Sequence, residues 1–155
     1  MTQPPFDVQR AHRWFAVELN NLAWEIVEAD SRTEDQIQEM IHAAHGACYH
    51  WMQVGALINH QRAYNLLAHV YLIAGDGDAA LRYAFKCLAI GEQAGDQQET
   101  FDIMNLLEER LKHSNSAVVL GTTKVFLNLT QDMPAVHSQV YQRLKAPMLT
   151  LMTGG

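Results

Sequence analysis

A chain of 155 residues is long enough for one domain with its own core and too short for two ordinary ones. A formal net charge of −6 excludes the basic face that nucleic-acid binding needs, because Lys and Arg neutralising phosphates supply most of that affinity. An apolar share of 48%, with only 9 Gly and 4 Pro, excludes a disordered or linker-rich chain.

The charge is uneven. Residues 1–112 carry 16 acidic and 8 basic side chains, whereas residues 113–155 carry 1 and 3, which marks the last segment as different in kind. The opening MTQPPFDVQRAHRW has no apolar run of the sort a leader needs. Nowhere do about 18 apolar residues follow one another. The expected location is cytoplasmic, with no membrane partner. Cys48 and Cys87 fall on apolar helix faces and are expected to be buried free thiols.

The first predicted helix runs from Asp7 to Ala29. At about 100° per residue, Phe15, Leu19, Leu22 and Ile26 share one face with Ala23 beside them, and this face is expected to be core. The other side carries Glu18, Asn21, Glu25 and Glu28, but also Trp14, Val17 and Trp24, whose size asks for a second contact.

Ser31-Arg-Thr-Glu34 and Thr33-Glu-Asp-Gln36 both fit a capping box, so a second helix starts near Thr33. Its expected buried face is Ile37, Ile41, Ala44, Cys48 and Trp51, and it stops around Gly55. Ala56-Leu-Ile58 reads as a short loop leading to Asn59, a candidate N-cap for a third helix.

That third helix reaches Ala74 and is apolar almost all round, as an element packed on several sides should be. Gly75 suits a left-handed C-cap, and Asp76 or Asp78 caps a fourth helix running to Gln93. Gly95 breaks it. Asp96-Gln-Gln-Glu99 then suggests another capping box, and Phe101–Lys112 a fifth helix with Ile103, Met104, Leu107 and Leu111 inward.

Beyond it, residues 116–130 are β-branched and glycine-broken and take no assignment. Pro134–Ala146 fits a last helix that Pro147 stops. Met148–Gly155 is apolar yet terminal, and either docks on a neighbour or is disordered.

Leu22-Ala23-x-x-Ile26, Leu67-Ala68-x-x-Tyr71 and Ile103-Met104-x-x-Leu107 repeat one packing pattern at spacings of 45 and 36 residues. The expected fold is therefore all-α: five or six helices in antiparallel hairpins forming a short stack, in a single domain over 1–155 with an atypical segment at 113–155.

Leu67, Ala68, Tyr71, Gly75 and Ala80, with Tyr64 and Cys87, resemble a tetratricopeptide repeat hairpin over about a fifth of the chain. ELNNLAW at 18–24 together with HAAHGACYHW at 42–51 resembles a group of bacterial tetratricopeptide-like proteins of unassigned function. The resemblance implies a concave groove lined by the first helix of each hairpin, here Val17, Asn20, Trp24, Arg62, Asn65, His69, Leu72, Phe101 and Asn105. Asn can bond both groups of an extended backbone, Arg62 can take a carboxylate in two bonds, and Trp24 and Phe101 offer apolar anchors. These residues point to a non-enzymatic module holding a protein or peptide, unless the face is simply solvated or lies between helices.

The rival reading is a metal- or ligand-dependent enzyme or sensor. His42 and His45 stand three apart on one helix, with His69 a candidate third ligand. The competing view of the same residues is half-buried imidazoles hydrogen-bonded to Glu18, Asn21 or Glu25 of the first helix. No second Glu-x-x-His or His-x-x-His pair exists, and no G-x-S-x-G elbow, P-loop or dinucleotide fingerprint appears, so the chain reads as needing no cofactor. A third reading places Trp14, Trp24 and the apolar tail in a homodimer interface.

Overall fold

A computed structural model describes residues 2–94 together with Asp102, Ile103, Asn105, Leu106, Ser138 and Gln142. Four helices follow one another: α1 (Val8–Val27), α2 (Glu34–Val54), α3 (Leu57–Ile73) and α4 (Gly77–Ala94). They form two antiparallel hairpins, α1 against α2 and α3 against α4, joined by packing of α3 on both α2 and α1. Among the described residues there is no strand, and the six beyond residue 94 are all helical. The irregular segment expected over 116–130 and the terminal apolar run lie outside the described residues.

Local chemistry sets the helix ends. Asp7 accepts from the Arg10 backbone N–H at 3.0 Å and starts α1. At α2 the box is Thr33 with Gln36: the threonine hydroxyl accepts from the Gln36 N–H at 3.2 Å, and the glutamine carbonyl accepts from the Thr33 N–H at 2.9 Å.

Asn59 does not serve as an N-cap. Helix α3 begins two residues earlier, and the Asn59 side chain reaches back to accept from the Ala56 N–H at 2.9 Å, leaving Gly55 and Ala56 as the whole connection. The α3 end has the expected glycine, with Gly75 at φ +83°. The Asp76 N–H bonds the Tyr71 carbonyl at 3.0 Å and the Gly75 N–H bonds the Leu72 carbonyl at 3.2 Å, the two bonds of a Schellman turn. Asp76 then turns the chain into α4, accepting from the Ala79 N–H at 3.0 Å.

One end has no signature in helix-capping rules. Arg32, in the α1–α2 connection, folds its guanidinium back over the C-terminus of α1, donating from Nε to the Ile26 carbonyl at 2.7 Å and from Nη2 to the carbonyls of Ala29, at 2.8 Å, and Val27. A planar cation thereby meets the negative end of the helix dipole and bonds three carbonyls there, of which Ile26 also accepts from the Ala29 N–H.

The core is built on small residues. Ala16 and Ala23 of α1, Ala43, Ala44 and Ala47 of α2, Ala63 and Ala68 of α3, and Ala79, Ala80 and Ala84 of α4 are all buried. Met40, Leu66, Leu67 and Leu88 fill the space between the crossings. This differs from the stripe expected for α1. The buried line runs through Ala16 and Ala23 to Ile26, Leu19 and Leu22 pack against its flank, and Phe15 is left 44% exposed. Apolar periodicity weights large side chains, whereas close helix approach selects short ones, so the true contact line sits about one position round the helix.

The same displacement occurs on α2. Ala43, Ala44 and Ala47 are buried while Ile37, Ile41, Cys48 and Trp51 are half-buried at the sides. Gly46 marks the nearest approach of α1, since a Cβ there would lie 2.7 Å from the Leu19 Cδ1.

Replacing Arg32 by Lys keeps the charge but loses the fork, and replacing it by Ala loses both. Urea midpoints should show a loss of stability of about 1–2 kcal/mol for Arg32→Ala, with Arg32→Lys recovering less than half of it.

Candidate functional site

Two clusters of polar and aromatic side chains form around the alanine contacts, on opposite sides of α3. The first lies where α2, α3 and α4 meet. Tyr64 and Tyr71, two turns apart on α3, hold the ring of Tyr83 from α4 between them. Centroid separations are 6.2 Å to Tyr64 and 5.7 Å to Tyr71, with interplanar angles of 25° and 5°. Lys86, one turn beyond Tyr83, places its ammonium 5.6 Å from the Tyr64 ring and 5.5 Å from Tyr83. From α2, His45 Nε2 makes a 2.6 Å hydrogen bond to the Tyr71 hydroxyl and stands edge-on to Tyr83.

The electrostatics of this cluster are quiet. Burial, assisted by His42, holds the His45 imidazole below its ordinary pKa, while burial and the neighbouring Tyr83 push Tyr71 up. Burial also raises Cys48, against the pull of Lys86. A neutral histidine bonded to a tyrosine of raised pKa has no activated oxygen or sulfur to offer. The cluster acts as a three-helix clasp.

The second cluster lies on the α1–α3 side, where the partner-binding residues were expected. His69 projects from α3 onto Trp24 of α1, ring centroids 5.4 Å apart, and this is the second contact that the tryptophan required. Burial lowers the His69 pKa, and the Asp102 carboxylate opposes that shift. Side chains at 24, 69 and 102 therefore lie within electrostatic reach along one side of the molecule. On this side Asn20 is half-buried, and Arg62, Asn105 and Leu72 are exposed. Phe101 lies outside the described residues.

Three expectations are corrected here. Asn65 is only 2% exposed, part of the core of α3, and cannot face an extended peptide. His42, His45 and His69 are not brought together. Positions 69 and 71 of α3 point about 200° apart, so a histidine bonded to Tyr71 lies on the other side of the helix from His69. Among the described residues no group of three or more His, Cys, Asp or Glu side chains is arranged to hold a metal ion. The bland alternative also changes partner, because His45 bonds Tyr71 of α3 and not Glu18, Asn21 or Glu25.

No protein-family model and no solved structure match the chain. Three curated proteins do. Over 68 residues the chain is 57% identical to the beta-adaptin-like protein A of Arabidopsis thaliana, covering 44% of this chain and 8% of that protein. Over 56 residues it is 50% identical to the AP-4 complex subunit beta of Dictyostelium discoideum, covering 36% and 7%. Over 100 residues it is 37% identical to the AP-4 complex subunit beta-1 of Mus musculus, covering 61% and 12%. The chain thus spans about a tenth of the length of these relatives.

These matches overturn the kinship implied by the repeat resemblance. The relatives are eukaryotic adaptin and AP-4 beta subunits, not bacterial tetratricopeptide-like proteins of unassigned function. The helical hairpins stand, being a matter of packing. A plain cytoplasmic location is likewise not supported, because two of the relatives are named as subunits of the AP-4 complex.

Two outcomes test the clasp. Tyr71→Phe removes the partner of His45 and should lower stability by about 1 kcal/mol in urea unfolding. His45, His50 and His69 all have pKa values below the ordinary 6.5, so the folded state favours their neutral forms. Their contribution is complete above pH 6.5 and is lost as the pH falls from there through the folded-state values, where the unfolded chain binds more protons. Tm should therefore fall between pH 7 and pH 5, and the fall should be smaller in His45→Gln.

Proposed function

We propose that this chain is a helical protein-interaction segment of an adaptor-type complex, related to part of a beta subunit. It is not an enzyme. The observation that carries the reading is the identity with AP-4 and adaptin beta subunits over stretches of 56 to 100 residues. That kinship replaces the unassigned process expected from the sequence with assembly into a multi-subunit complex.

The surface offered to a protein partner is the α1–α3 side, with Trp24 and His69 in tilted contact as its floor and Asn20, Arg62 and Leu72 around them. Leu72 at 36% exposure supplies apolar area, and Arg62 adds an exposed positive charge. The helical stack continues past α4 in this reading. Helical Asp102, Ile103, Asn105 and Leu106, with Ile103 and Leu106 buried, support a fifth helix, and helical Ser138 and Gln142 support a further one. All of these belong to the one domain of residues 1–155. Among the described residues no helix is long and apolar enough to cross a membrane.

Self-association through α1 is a second reading, favoured by Trp14 at 59% exposure and Phe15 at 44%. Co-expression with the other subunits of an AP-4-type complex, followed by size exclusion, separates the two. The expected outcome is co-elution with at least one subunit, weakened about tenfold or more by Trp24→Ala combined with Arg62→Ala. Elution alone at every ratio would sink the adaptor reading. A molar mass that doubles with concentration, and is restored to one chain by Trp14→Ala, would put the homodimer in its place.

A further inference from the structure

At the open end of the first hairpin, His12 of α1 and His50 of α2 face each other with their Nδ1 atoms 2.8 Å apart. Both rings are half-buried and held on several sides. Phe15 stacks on His50 at 5.4 Å and 23°, and Tyr49 meets His50 edge-on at 5.5 Å and leans on His12 at 6.2 Å. These contacts fix the rings relative to each other across two helices, 38 positions apart in the chain.

We propose that His12 and His50 form a two-histidine clamp for a divalent transition metal, pinning α1 to α2. Two imidazole nitrogens on one metal, each at about 2.0–2.1 Å and subtending 90–109°, stand about 2.9–3.4 Å apart. The observed pair needs to open by only a few tenths of an ångström. In the metal-free pair one Nδ1 carries a proton and donates it to the other. On binding, that proton moves through water to Nε2 of its own ring, leaving two Nδ1 lone pairs and no net change in protons. The donor set is all imidazole, which selects Ni²⁺ or Zn²⁺ over Mg²⁺ or Ca²⁺. No described carboxylate or thiol completes the shell, so water takes the remaining positions. The clamp is distinct from the His42/His45/His69 arrangement, which the fold separates. It is independent of any adaptor partner.

The test uses the tag-free full chain. About 1 mM Ni²⁺ at pH 7.5 should raise Tm by about 3 °C or more, with no rise from Mg²⁺, because a ligand of the folded state alone stabilises it by mass action. The rise should shrink towards pH 5.5, where protons compete for the two Nδ1 lone pairs. His12→Gln and His50→Gln should each abolish the rise, and His42→Gln should keep it. No rise in the parent chain, a rise that survives His12→Gln, or one lost in His42→Gln would overturn the assignment. Because His50→Gln could disturb the helix pair, Zn²⁺ titration of the unaltered protein by imidazole nitrogen NMR gives a second readout. The Nδ1 signals of His12 and His50 should move together and those of His45 should stay. Unmoved His12 and His50 signals would overturn the clamp.

Discussion

The structure depends on helices that touch through alanine. Ala16, Ala23, Ala44, Ala47, Ala68 and Ala84 are each fully buried, and all lie on α1 to α4. With only a methyl group between backbones, two helix axes can come closer than leucine or phenylalanine would permit. The gain is dispersion contact along whole helix faces. The consequence is that every bulky or polar side chain is moved to the edge of a crossing, where space opens between the cylinders.

Both histidine clusters follow from that displacement. Tyr64, Tyr71 and Tyr83 interleave beside the alanine contact of α3 and α4, and His45 reaches the Tyr71 hydroxyl from the α2 edge. His12 and His50 meet at the outer edge of α1 and α2, flanked by Phe15 and Tyr49. The two settings differ in what their partners allow. A tyrosine hydroxyl satisfies His45 and leaves it inert, whereas two imidazoles aimed at each other leave a lone pair and a proton to be exchanged.

The likeness of this chain to one repeat family and its sequence identity with stretches of another kind of protein have different origins. Large, small and aromatic residues at fixed offsets are what any closely packed antiparallel helix pair needs, so Leu67, Ala68 and Tyr71 report geometry and not ancestry. Identity over 56 to 100 residues is a likeness of sequence beyond packing offsets, and it is shared with stretches of adaptin and AP-4 beta subunits. Trp24 and His69 meet in a tilted ring contact between α1 and α3.

The sequence by itself determined the four helices, their order and most of their ends. Helix periodicity is a local property, and Thr33 with Gln36, Gly75 and Asp76 act within a few residues of the chain. It also determined that α3 is packed on several sides. What only the tertiary structure decided is which way each helix is rolled. Phe15 is left partly outside and Ala16 inside because the neighbouring helix selects the shorter residue, a choice that no single-helix pattern contains. The burial of Asn65 and the partners of His45, His50 and His69 all depend on that roll. They are contacts between segments far apart in the chain, and a rotation of about 100° about one axis would exchange every one of them.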